Sequence, residues 1–115
     1  MSPQPTASQR IVETVASWPG VRVGPGARGA SVAVFVGRRE LGHLHGDHAA
    51  HFSFPKDVWD ELRREGRIAP HPVFPDARGP AARRIETDED IREVIELLRL
   101  NYDRAVARHG LPDAA

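Results

Sequence analysis

Between residues 30 and 53 apolar side chains recur at every second position, interrupted only by Gly37-Arg38-Arg39 and by Gly46-Asp47. A period of two puts successive side chains on opposite faces of a strand, so the segment is predicted to form antiparallel strands joined by tight reversals. Residues 30 to 36 set Val32, Val34 and Val36 on one face and Ser31, Ala33 and Phe35 on the other. Residues 40 to 45 set Leu41, His43 and His45 against Glu40, Gly42 and Leu44, and Phe52 and Phe54 then alternate with His51 and Ser53.

The flanking segments carry the helical period. Ile11, Val15 and Trp18 recur at helical spacing until Pro19-Gly20 stops them, and residues 21 to 23 suit a brief strand before a glycine-rich turn at residues 24 to 29. Pro55 opens a second helix whose apolar side is Val58, Trp59 and Leu62 and which Gly66 closes. Trp18 and Trp59 read as core residues, because apolar stripes at helical spacing are ordinarily buried. Pro70-His71-Pro72 is expected to be extended, residues 75 to 79 a loop and residues 81 to 85 a last edge strand. Thr87 caps a final helix with Asp88, Glu89 and Asp90 in its first turn and a stripe of Ile91, Val94, Ile95, Leu98 and Tyr102, ended by Gly110 and Pro112. The expectation is an α+β domain, an antiparallel sheet of four to five strands with three helices packed against it. It would occupy residues 6 to 110, between a flexible arm (residues 1 to 5) and a tail (residues 111 to 115).

Composition narrows the function classes. The 115 residues fit one domain, and 16 basic and 16 acidic residues cancel to a net charge of zero, without the basic surface expected of a nucleic-acid partner. With no cysteine there is no thiolate nucleophile, disulfide or sulfur-ligated metal. No apolar run approaches the roughly 20 residues that span a bilayer, and Met1-Ser-Pro-Gln-Pro-Thr6 has no leader-like pattern, so a cytoplasmic location without membrane contact is expected. A monomer or homodimer is expected, since a free sheet edge can pair two copies. Gly24-Pro25-Gly26 lacks the Lys-Ser/Thr ending of a phosphate-binding loop.

Five of the six histidines fall between residues 43 and 71. His43 and His45, two apart on one strand, project side by side, and a third imidazole from His48, His51 or His71 would complete a three-ligand zinc site. The same rings equally serve as acid/base or hydrogen-bonding groups for a small acidic ligand without any metal. His43-Leu-His-Gly-Asp-His48 also matches the H-x-H-x-D-H signature of metallo-β-lactamase-like hydrolases, but that fold needs a longer chain and two further ligand histidines, and only His109 follows His71. Among the neighbours, Arg39 is a candidate clamp for an anionic substrate, and Asp47 either orients an imidazole or accepts backbone N–H groups in its turn. His48 completes the substrate-binding candidates.

The run Glu40-Leu-Gly-His-Leu-His45, then His51, the Phe54-Pro55 helix start, Gly66, His71-Pro72 and the terminal helix with Leu97-Leu98 and Tyr102 resembles the luciferase-like domain family, which includes the fungal luciferases. The resemblance spans most of residues 20 to 108 and carries over His43, His45, His51 and His71 as catalytic residues; His48 is outside the carried pattern. It implies an O2-dependent oxidoreductase, a cofactor-free oxygenase whose histidines deprotonate an enolic or phenolic, hydroxypyranone-like substrate before oxygen attack. The chain departs from the family at Pro80-Ala81-Ala82, where an aromatic is expected in relatives. The alternatives are a non-catalytic small-molecule-binding or interaction module, and a small metalloprotein holding zinc or iron through His43, His45 and His71.

Overall fold

In the computed structural model, which describes residues 3–112, the chain runs α1 (Ala7–Val15), β1 (Val21–Pro25), β2 (Val32–Val36), β3 (Arg39–His45), β4 (Ala49–Ser53), α2 (Lys56–Arg64), β5 (Ala69–Pro70), β6 (Pro80–Arg84) and α3 (Asp88–His109). Residues 1 and 2 of the expected arm and 113 to 115 of the expected tail lie outside the described residues. The strands form one antiparallel sheet in the order β1-β2-β3-β4-β6-β5. It is an α+β fold with three helices and six strands, one strand more than the upper expectation. The additional strand is the two-residue β5, whose Ala69 and Pro70 pair with Ala82 and Ala81. A pair of residues beside a Pro-His-Pro run carries no readable period, and it moves β6 from the expected sheet edge to the interior.

Alternation assigns the faces as the sequence predicts. Val34, Leu44, Ala50 and Ala81 are fully buried on one face, under a layer built from Ile11 and Val15 of α1 and Val94, Leu97 and Leu98 of α3. Burial of these side chains at about 25 cal/mol per Å² is the main force holding the helices on the sheet. α3 lies so close to β3 that a Cβ on Gly42 would stand 2.9 Å from the Leu98 side chain and 3.0 Å from the His51 carbonyl. Thr87 and Asp90 form a reciprocal capping box that starts α3, and Thr6 and Gln9 do the same for α1. Trp59, half-buried against the core, donates its indole N–H to the Pro80 carbonyl at 2.9 Å. Trp18 packs on Tyr102, with ring centroids 5.3 Å apart.

One irregularity departs from strict alternation and matters for the site. Val34 pairs with Gly42 while the next residue, Phe35, pairs with Glu40, so Leu41 is an extra residue in β3. Such a bulge shifts the facing of the strand by one position. Leu41 therefore joins the core at 2% exposure instead of sharing the histidine face, and Glu40 comes to lie beside His43. No helix among the described residues is long and apolar enough to cross a membrane.

Candidate functional site

His43 and His51 are direct cross-strand partners at the centre of the sheet, on the face turned away from the core. His45 sits two residues beyond His43, opposite Ala49. The flanking positions on this face are small: Ala33 pairs with His43 and Ala82 with His51. Large imidazoles between alanines leave open space above them. The segment after β5 closes one side of that space, bringing His71 over His51 with ring centroids 4.2 Å apart. The His43–His45, His43–His51 and His45–His51 separations are 5.2, 5.3 and 4.3 Å. All four carried-over histidines thus meet at the floor of one cleft of about 450 Å³, with Arg28, Glu40, Val73, Phe74 and Pro80 around it. That volume is ample for a small organic ligand.

The hydrogen-bond partners assign chemistry to individual rings. The Nδ1 of His43 lies 3.1 Å from the Glu40 carboxylate, which fixes the N–H on that nitrogen and leaves Nε2 with its lone pair in the neutral ring. His71 accepts the Val73 backbone N–H at Nδ1 (3.1 Å), so its own proton resides on Nε2. The Nε2 of His45 is buried with no partner among the described residues, an unsatisfied polar atom of the kind folded proteins rarely keep without a use. His51 is pushed from 6.5 down to about 4, first by burial and then by the neighbouring His71, His45 and His43. His71 is lowered as well, by burial and by His43 and His45. At neutral pH His51 and His71 are therefore neutral imidazoles.

Because His51 holds fewer protons in the folded than in the unfolded chain between pH 4 and 6.5, protons favour unfolding across that window. The urea midpoint is expected to be flat above pH 6.5 and to fall as the pH drops towards 4. His51→Gln should weaken that fall, as denaturation series at pH 7.5 and 4.5 would show; an identical slope in the variant would assign the acid sensitivity elsewhere.

The three substrate-binding candidates from the sequence lie away from the cleft. Arg39 heads β3, four residues and about 13 Å of strand from His43, in a separate recess with Arg38, His109 and Pro112. Asp47 neither orients an imidazole nor caps its own turn; it accepts the Ser8 backbone N–H at 2.8 Å and ties the start of α1 to the β3–β4 connection. His48 is exposed, and its carbonyl accepts the Ile85 N–H at 2.8 Å. Sequence reasoning missed Glu40, Arg28 and Phe74. Glu40 was hidden by the bulge. Phe74 lines the cleft 5.4 Å from the His71 ring; the signal was an apolar Val73-Phe74 pair inside a Pro-rich loop.

Ring nitrogens of His43, His45 and His51 all lie within 4.8 Å of one another, which is close enough to hold a metal ion. The third ring of that set is His51, with His71 packed against it at a tilt of 54° rather than completing the triad. The donor set fits a divalent ion of the zinc or iron type, with Glu40 bonded to the far nitrogen of one ligand ring.

The family model of the luciferase domain matches residues 38–101, more than half of the chain. The chain belongs to the luciferase domain family. The matched span of this luciferase-like domain runs from the start of β3 into α3 and so includes all four cleft histidines, while α1, β1 and β2 fall outside it. No curated protein and no solved structure matches the chain.

Proposed function

We propose that this luciferase-like domain is an O2-dependent oxidoreductase that binds an acidic enol or phenol of hydroxypyranone type in the histidine cleft and deprotonates it there. The observation that carries the reading is the unpartnered, buried Nε2 of His45 at the floor of a ligand-sized cleft, flanked by imidazoles that stay neutral. With its proton on Nδ1, His45 presents a bare Nε2 that accepts a proton, and the neutral rings of His51 and His71 hydrogen-bond the anion as it forms without adding charges that would repel the imidazolium. The enolate is the electron-rich form that gives electrons to O2. His51, lowered to about 4, is too weak a base at neutral pH, and the unpartnered Nε2 of His45 is the acceptor in this reading.

A second reading is supported by the spacing of the three rings. In it His43, His45 and His51 hold zinc or iron, and His45 Nε2 finds its partner in the ion. A bound ion would act as a Lewis acid, lowering the pKa of a coordinated enol. His71 and Phe74 then orient the ligand, and Glu40 keeps the His43 ring in the ligating tautomer.

Metal analysis of tag-free protein together with oxygen uptake on hydroxypyranones separates these. Oxygen uptake with far less than one equivalent of metal is the result expected for the cofactor-free oxygenase. About one equivalent of zinc or iron, lost in His45→Ala, would replace it with the metal-assisted reading. Ligand binding without any oxygen uptake would make the protein a non-catalytic binding module and sink both.

A further inference from the structure

The four histidines occupy the floor of the cleft, but its two rims come from opposite sides of the sheet. Val73 and Phe74, 69% and 51% exposed, belong to the β5–β6 connection. Arg28 belongs to the β1–β2 connection, across β3 and β4 from them. The loop that carries Arg28 is tightly built. The Ala30 N–H bonds to the Ala27 carbonyl at 3.1 Å, and a Cβ on Gly26 would stand 2.6 Å from that of Ala30. Arg28 and Gly29 both have positive φ, 54° and 85°, the signature of a type I′ turn. Asn, Asp and Gly dominate the first central position of such turns, because a longer L side chain is strained there. Arg28 is the non-glycine residue with positive φ among the described residues. Its guanidinium takes part in no ion pair or hydrogen bond among them, a state it shares with Arg22, Arg38, Arg39, Arg63, Arg92, Arg104 and Arg108, but of these Arg28 is the one that lines the cleft. The other charge at the cleft, Glu40, is taken up by His43.

We propose that Arg28 is an anion-holding, specificity-determining residue of the cleft, and that the ligand is an organic acid carrying a carboxylate at one end and an apolar ring at the other. The inference rests on the cleft being a small-molecule site, and it deepens that reading. The carboxylate meets the guanidinium, and the ring lies against Val73 and Phe74 with an acidic hydroxyl on its edge turned to the histidines. A guanidinium recognises a carboxylate through paired N–H donors, and nothing else near the cleft supplies an unengaged cation. The backbone strain at Arg28 is explained by that task, since a turn chosen for stability would carry Asn.

The test uses 4-hydroxyphenylacetate and its neutral amide as matched probes, with binding followed by amide NMR shifts of the wild-type protein, Arg28→Asn and Arg28→Lys. The wild type is expected to prefer the acid by about 10-fold or more, and that preference should shrink on raising the salt. Arg28→Asn should bring it to within about twofold while raising Tm by roughly 2–5 °C as the turn strain is relieved, and Arg28→Lys should keep part of it. Equal affinities in the wild type, or a preference that survives Arg28→Asn, would overturn the role of Arg28 and leave the small-molecule reading standing. Failure of both probes to shift any cleft residue at about 10 mM, a weak-binding limit, would overturn the proposal together with that reading.

Discussion

His45→Ala is expected to lower O2-dependent turnover of a hydroxypyranone by about 100- to 10,000-fold, the range over which a positioned base contributes, while leaving the protein folded. The two halves of this expectation have separate causes. The Nε2 of His45 is the buried ring nitrogen with no partner, so its removal takes that buried acceptor from the cleft. The side chain stands on the face of β3 away from the helices and makes no hydrogen bond among the described residues, so the core loses nothing. Deleting an unsatisfied buried polar atom should change stability by no more than about 1 kcal/mol in either direction. The pair of measurements is oxygen uptake and thermal melting on the same preparation. His45→Gln, which restores polarity but not basicity, should stay inactive; recovery of turnover in it would show that hydrogen bonding, not proton transfer, is what this position supplies.

The largest stability effect is expected one residue earlier. Leu44 is fully buried between two histidines that face the other way, and it packs in the core shared with α3. Leu44→Ala should cost about 3 kcal/mol, the sum of lost transfer energy and the cavity left behind, and lower Tm by roughly 10–20 °C. Its consequence for function is indirect: β3 carries His43 and His45 on its opposite face, so loosening this anchor should weaken ligand binding before global unfolding. Urea denaturation and probe binding measured at one temperature would show this order. A Leu44→Ala protein with unchanged midpoint would mean that β3 is held by its hydrogen-bond ladder alone.

The contrast between these adjacent residues is the alternation of a strand, and it could be read in the sequence. Leu44 inward and His43 and His45 outward follow from a period of two, as does His51 facing away from Phe52. The capped terminal helix was equally legible, since Thr87 and Asp90 act within one turn of each other. Local rules sufficed for these because every partner lies within a few residues.

Other features depended on residues far apart in the chain. The bulge at Leu41 arises from pairing with β2, and only that pairing brings Glu40 to the Nδ1 of His43. The choice of His51 over His71 as third member of the triad follows from the His43–His51 register, which no spacing along the chain reveals. Asp47 meets Ser8 across 39 residues, and a carboxylate that a motif would place on an imidazole ends up capping a helix. Arg28 and Phe74 reach one cleft from opposite sides of the sheet. The sequence by itself therefore determined the class of the fold and the faces of its strands, because side-chain period and local capping are short-range properties, while the set of four histidines came from the family resemblance. Tertiary structure decided which nitrogens come together, which carboxylate serves them and what lines the rim, because strand register and loop placement are set by packing between distant segments.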